Sequence, residues 1–251
     1  MRAVTWQGKR DVRVEDVPDP KLEEPTDAIV RITSSGICGS DLHLYEVLGP
    51  FRAKGDVLGH EPMGVVEEVG SATGDLQVGD RVVIPFNISC GHCWMCDQQL
   101  YAQCETTQNR EEEKGASLFG YTKLYGQVPG GQAEYLRVPF GNTLPITVPE
   151  GLPDDRFVYL SDVLPTAWQA VQYAATPPGG TLLVLGLGPI GDMCTRIAHH
   201  LGIEHVYASD VVPERLARAT ARGTEVIRST RKEDVVDAIR DATDGRGPDA
   251  V

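Results

Sequence analysis

Four cysteines packed into fifteen residues, Cys90-x2-Cys93-x2-Cys96-x7-Cys104, constrain this 251-residue chain more than any other feature. Two-residue gaps let successive thiolates turn back onto one ion, and four thiolates so spaced close a tetrahedron around Zn²⁺ with Zn–S near ~2.3 Å. An iron–sulfur cluster is the competing arrangement. The bacterial ferredoxin run, however, has a shorter last gap followed by proline, whereas here a gap of seven leads into Gln103-Cys104-Glu105. With all four positions supplied by protein, none is left open for substrate. The spacing therefore predicts a structural zinc lobe over residues 88–106.

The length suits two domains, and 41% hydrophobic with 24% charged residues is an ordinary globular composition. A net charge of −13 argues against nucleic acid or an anionic membrane as partner, since both select for excess Lys and Arg. No apolar run approaches the ~20 residues of a membrane helix. The stretch Met1-Arg2-Ala3-Val4-Thr5-Trp6-Gln7-Gly8 lacks the apolar segment of a secretory signal. A cytoplasmic protein is expected, and in that compartment clustered cysteines bind metal rather than form disulfides.

Two textures divide the chain. The first part has short β-like runs at 28–32, 64–69, 81–84 and 133–138, punctuated by Gly and Pro as in an all-β barrel or sandwich. Residues 105–132 are polar and Gly-rich and read as a long loop. From 157 onward, strands at 181–185, 205–209 and 225–227 alternate with helices at 189–201, 213–222 and 232–243, a βαβαβ unit. The expected domains are thus 1–156 and 157–251.

The wholly apolar strand at 181–185 runs into Gly186-Leu187-Gly188-Pro189-Ile190-Gly191, which opens a helix. That context turns a weak GxGxxG pattern into a dinucleotide fingerprint. Gly186 permits the tight turn, Gly188 lets a pyrophosphate approach the backbone, and Gly191 packs helix on strand. Asp210 follows 19 residues after Gly191, at the end of the second strand. A carboxylate there accepts from ribose hydroxyls and repels a 2′-phosphate, which favours NAD over NADP.

A dispersed set remains: Cys38-Gly39-Ser40-Asp41-Leu42-His43, and Gly59-His60-Glu61-Pro62, with His60 lying 22 residues after Cys38. Alone, each is unremarkable, since a lone Cys is usually a small core residue and a lone His more often hydrogen-bonded filler than a ligand. Together they offer a thiolate, an imidazole and carboxylates, a set suited to a catalytic zinc with an open fourth position.

With these motifs in this order, the whole chain resembles the zinc-dependent medium-chain alcohol dehydrogenase superfamily. The resemblance implies an α/β protein with a β-rich domain: a GroES-like catalytic domain, then an incomplete Rossmann domain. It implies Cys38 and His60 as catalytic zinc ligands, Glu61 as a nearby carboxylate able to approach the metal, Ser40 and His43 as proton relay, and Asp41 as a supporting partner. Many members have Cys as third ligand. Here Leu160-Ser161-Asp162-Val163-Leu164-Pro165-Thr166 puts Asp162 there, and this stretch, with Gly130-Gly131-Gln132-Ala133-Glu134-Tyr135, resembles the glutathione-independent formaldehyde dehydrogenase branch. The alternative for Asp162 is a helix N-cap. Thr166 falls on the nicotinamide side and Arg215 by the adenosine ribose.

The resemblance implies two zinc ions and NAD, a small alcohol or aldehyde substrate with formaldehyde among the candidates, and a homo-oligomeric full-length form. Asp249-Ala250-Val251 reads as the start of a fourth strand beside the first, so the chain reads as part of a longer enzyme. Two rival readings stand beside the enzyme: an inactive zinc-binding fragment, and a non-catalytic zinc or NAD(H)-binding protein. Cys194 reads as packing, His92 as unnecessary beside four thiolates, His199 and His200 as helix-end residues, and Glu111-Glu112-Glu113 as a solvated loop.

Overall fold

The structure is a computed structural model that describes residues 1–228 and 231–251. It divides into two compact units, Met1–Asp162 and Val163–Val251. The division falls at 162 rather than 156 because Phe157, Val158 and Leu160 pack with Met63, Val83 and Val148 of the first unit. That packing carries the chain to Asp162 while it still belongs to the β-rich part.

In the first unit, β1 (Arg2–Gly8) and β2 (Asp11–Asp16) form an antiparallel hairpin. β3 (Ala28–Ser35) leads into the short helix α1 (Gly39–Glu46), then β4 (Pro62–Val69) and β5 (Arg81–Val83). The cysteine lobe contains α2 (Trp94–Asp97), followed by β6 (Tyr135–Val138) and β7 (Ile146–Thr147). The five strands form one antiparallel sheet in the order β6-β3-β4-β5-β7. Its core joins Val30, Val66, Val82, Leu136 and Val138 from the strands with Ile84, Ile88, Phe119 and Leu144 from the segments between them. The expected strand at 133–138 starts at Tyr135, since Ala133 makes only an isolated bridge to Ala3. The 105–132 stretch is more than a loop. It holds the 3₁₀ turns Arg110–Glu112 and Lys123–Tyr125, bridges Asn87↔Leu118 and Phe119↔Val128, and buries Phe119 completely.

The second unit alternates α3 (Val163–Ala174), β8 (Thr181–Leu185), α4 (Pro189–His200), β9 (His205–Asp210), α5 (Pro213–Thr220), β10 (Glu225–Arg228) and α6 (Lys232–Asp241). Its strands are parallel in the order β10-β9-β8. Ala250 makes a parallel bridge to Leu182, on the β8 side away from β9, where the sequence puts the start of a fourth strand. Cys194 is buried against Ala167, Leu182 and Val206, a packing role as expected. Among the described residues, no helix is long and apolar enough to cross a membrane.

Candidate metal centres and dinucleotide cradle

The ligand atoms of Cys90, Cys93, Cys96 and Cys104 all lie within 4.8 Å of one another. Local backbone geometry makes the cluster. Cys93 caps α2, which carries Cys96, and a 3₁₀ turn at Tyr101–Gln103 delivers Cys104. Donors surround the sulfurs: Cys90 N–H to Cys104 Sγ at 3.3 Å, Glu105 N–H to Cys93 Sγ at 3.4 Å, and Thr106 Oγ1 to Cys90 Sγ at 3.1 Å. Burial works against the thiolate of Cys93, yet backbone N–H groups of Cys96 and Glu105 draw its pKa down to about 6. Burial works against the Cys104 thiolate too, yet backbone and Thr107 hydrogen bonds lower it, while burial and the neighbouring sulfurs push Cys96 up to about 12, so the clustered thiols compete for charge that a cation would offset. His92 turns its Nδ1 to the Cys90 carbonyl at 2.8 Å and stays outside the sulfur set.

The second set gathers three distant stretches. The ligand atoms of Cys38, His60 and Asp162 also lie within 4.8 Å of one another. Asp162 Oδ2 is 3.5 Å from His60 Nε2 and 3.9 Å from Cys38 Sγ, so its carboxylate faces these two groups. Cys38 is the N-cap of α1, and Asp41 in the first turn accepts from the Cys38 N–H at 2.9 Å. The other Asp41 oxygen is 3.3 Å from His60 Nδ1. Gly59 holds φ +101° directly before His60, and a Cβ there would stand 2.4 Å from the Gln132 nitrogen, so only glycine fits. Glu61 lies over Gly36, where an added Cβ would meet its Oε2 at 2.0 Å.

Electrostatics test whether a cation suits this set. Both His60 nitrogens, Asp41 Oδ1 and Glu61 Oε1 are buried without an aligned hydrogen bond. Burial disfavours an imidazolium, but Asp162, Asp41 and Cys38 outweigh it and push the His60 pKa up to about 12. Burial, with Asp162 and Asp41 adding to it against His60, raises Glu61 to about 7. Three carboxylates and a thiol thus gather round one imidazole, and a divalent ion held by Cys38, His60 and Asp162 would offset part of that charge. Ser40 Oγ is 3.9 Å from Cys38 Sγ, while His43 is exposed on α1, and no hydrogen bond joins Ser40 to His43 among the described residues.

In the second unit Gly186 has φ +92°, Gly188 caps α4, and Pro189 occupies its first turn. A Cβ on Gly188 would meet nothing within 4 Å, so the backbone is open to a ligand. A Cβ on Gly191 would stand 1.8 Å from the Gly186 oxygen, the close helix–strand approach the fingerprint requires. Ile190 is partly exposed. Asp210 ends β9 with one oxygen accepting Leu187 N–H at 2.7 Å and the other Val212 N–H at 2.8 Å. Arg215 reaches it at 3.4 Å. Oδ2 thus accepts from both Leu187 and Arg215, and Oδ1 is the oxygen better placed to receive a hydroxyl. Thr166 lies in the first turn of α3.

Two residues of the metal-site surroundings escape sequence reasoning. Tyr121 packs edge-on against His60, with ring centroids 6.1 Å apart, and Arg52 is buried with its Nη1 on the Gly120 carbonyl. Neither belongs to a spaced motif.

A family profile for the alcohol dehydrogenase GroES-like domain matches residues 24–149, and one for zinc-binding dehydrogenase matches 189–251. A zinc-type alcohol dehydrogenase-like protein of Bacillus subtilis (strain 168) is 44% identical across 100% of this chain and 66% of its own length. The glutathione-independent formaldehyde dehydrogenase of Pseudomonas aeruginosa (strain LESB58) is 38% identical over 90% of this chain and 58% of its own. The alcohol dehydrogenase of Thermus sp. ATN1 superposes with TM-score 0.88 at 40% identity, covering 99% of this chain and 68% of that one. The chain belongs to the zinc-dependent medium-chain alcohol dehydrogenase superfamily. It spans 66% and 58% of the two curated relatives described.

Proposed function

We propose that this polypeptide serves NAD-dependent, zinc-assisted interconversion of a small alcohol and its aldehyde, formaldehyde among the candidates. The observation that carries the reading is the convergence of Cys38, His60 and Asp162 ligand atoms within 4.8 Å. In this reading Cys38, His60 and Asp162 hold a catalytic zinc, and Cys90, Cys93, Cys96 and Cys104 hold a structural one. When bound, the catalytic ion supplies a Lewis acid and NAD the hydride acceptor.

The chain's own residues do the rest. Asp41 beside His60 Nδ1 favours the tautomer that leaves Nε2 free to ligate. Asp162 in place of a thiolate donates less charge, which sharpens the acidity of the site. Ser40 beside Cys38 takes the substrate proton, and exposed His43 returns it to solvent. Glu61 supplies a buried carboxyl next to the ligands. Gly186, Gly188, Pro189, Ile190 and Gly191 cradle the pyrophosphate, Asp210 and Arg215 meet the adenosine ribose, and Thr166 contacts the nicotinamide. The cytoplasm, where thiols stay reduced, suits six free cysteines. For the full-length protein we propose a homo-oligomer.

The chain's span of 58–66% of those relatives favours a second reading, zinc binding without turnover by this chain alone. One experiment separates the two: zinc content and NAD⁺ reduction measured together on a panel of small alcohols and formaldehyde. Zinc-dependent NADH formation supports the enzyme, bound zinc without NADH supports the second reading, and a chain that binds no zinc refutes both.

A further inference from the structure

Arg52 follows the 3₁₀ turn Gly49–Phe51, and its side chain is 0% exposed. Its Nη1 donates to the Gly120 carbonyl at 3.2 Å, while Nε and Nη2 are buried with no hydrogen-bond partner. Asp56 is not an adequate partner. Its Oδ2 stands 3.8 Å from Arg52 Nε and already accepts Ala53 N–H, while Oδ1 takes Gln127 Nε2. Burial lowers the Arg52 pKa, and Asp56, Asp41 and Tyr121 act against that lowering. An apolar side chain of similar length would fill this space without desolvating a charge, so packing alone does not account for an arginine.

One chain of contacts leads from Arg52 to the metal-ligand set, and Asp41 bears on Arg52 through space as a nearby negative charge. Gly120 precedes Tyr121, whose ring stands edge-on to His60 at 88°. Asp41 faces His60 Nδ1 with a buried oxygen that lacks an aligned donor. With Cys38 as thiolate and Asp41, Glu61 and Asp162 nearby, the cluster carries more negative charge than one divalent ion offsets when the carboxyls are ionised.

We propose that Arg52 is a positioning residue of the Cys38–His60–Asp162 site. It is a fixed buried cation that balances Asp41 and, through the Gly120 carbonyl, holds Tyr121 against the imidazole, so that His60 presents Nε2 to the metal. This rests on the zinc reading above.

The test uses Zn²⁺ and Co²⁺ as probes on the intact chain, with chelator competition, the Co²⁺ electronic spectrum and far-UV circular dichroism. A wild-type chain that binds no metal beyond the cysteine lobe overturns the zinc reading itself. If it binds the second metal, Arg52→Met should weaken that site by roughly tenfold or more and shift its Co²⁺ bands, while the lobe keeps its zinc. Arg52→Lys should recover the wild-type spectrum and most of the affinity. Asp56→Asn should leave affinity within about twofold of wild type. In the Asp41→Asn background, Arg52→Met should cost less affinity than it does alone. If Arg52→Met alone fails to fold, the Arg52→Met/Asp41→Asn pair should regain the wild-type dichroism. The proposal is overturned if Arg52→Met keeps wild-type affinity and spectrum, if Lys is as impaired as Met, if Asp56→Asn reproduces the Met variant, if Arg52→Met costs as much in the Asp41→Asn background as it does alone, or, where Arg52→Met does not fold, if the pair does not fold either.

Discussion

A methyl group is enough to probe the dinucleotide cradle. A Cβ on Gly191 would stand 1.8 Å from a backbone oxygen, which has no rotamer through which to retreat. Gly191→Ala should therefore destabilise the second unit by about 1–3 kcal/mol through forced separation of α4 from β8. Urea denaturation followed by a probe in that unit reads the loss, and an unchanged midpoint would contradict the packing. Asp210 bonds the backbone at Leu187 and Val212, and in the proposed function it also receives a ribose hydroxyl. Asp210→Ser should raise the ratio of NADP to NAD affinity by roughly tenfold, about 1.4 kcal/mol, read by calorimetric titration of each. A ratio that does not move would remove Asp210 from cofactor selection.

At this scale the sequence is legible where chemistry fixes spacing. Cys90 to Cys104 and Gly186 to Gly191 are close in the chain, so their geometry follows from local turns. Cys38, His60 and Asp162 are far apart, and family resemblance, not periodicity, implied Asp162 as the third ligand. Arg52 and Tyr121 were invisible, because a lone arginine and a loop tyrosine carry no periodic signal. Their place depends on how Gly120 folds back onto Gly59, where a Cβ on Gly120 would meet Gly59 nitrogen at 2.6 Å.

Among the elements, the turn Asp154–Arg156 decides where Asp162 arrives. Asp154 accepts from Arg81 on β5 and from Thr33 on β3, and Arg81 also holds the Leu152 carbonyl at 2.9 Å. Hydrogen bonds from Arg81 and Thr33 hold the Asp154 carboxyl below the usual carboxylate range. A depressed folded pKa gives stability that is complete above the unfolded value near ~3.9 and is lost as pH falls through the folded value. Asp154→Asn should thus be less stable than wild type at neutral pH, with the gap narrowing in acid. Urea midpoints across that range check it, and a gap that widens in acid would reverse the sign.

The elements of the second unit were readable because β8 carries the unbroken apolar run Leu182-Leu183-Val184-Leu185 and α4 follows a glycine turn. The first unit was harder. α1 buries only Leu44, so it has no apolar stripe to announce it. β7 is two residues long with both exposed, below any pattern. The 105–132 stretch looks like solvent-exposed loop by composition, yet Phe119 anchors it in the core.

The whole molecule combines a β-rich unit carrying both metal-ligand sets with a parallel α/β unit carrying the dinucleotide fingerprint. Both candidate ligand sets lie within Met1–Asp162, so the proposed metal content belongs to one unit. The lobe is local in sequence and the Cys38–His60–Asp162 set is not, so the two should fail separately. The direct measurement is zinc per chain, by elemental analysis against protein mass, for wild type, Cys93→Ser and Asp162→Ala. The account predicts two zinc ions in the wild type, loss of the lobe ion alone in Cys93→Ser, and loss of the Cys38–His60 ion alone in Asp162→Ala. A wild type that holds only one, or an Asp162→Ala chain that keeps both, would contradict it.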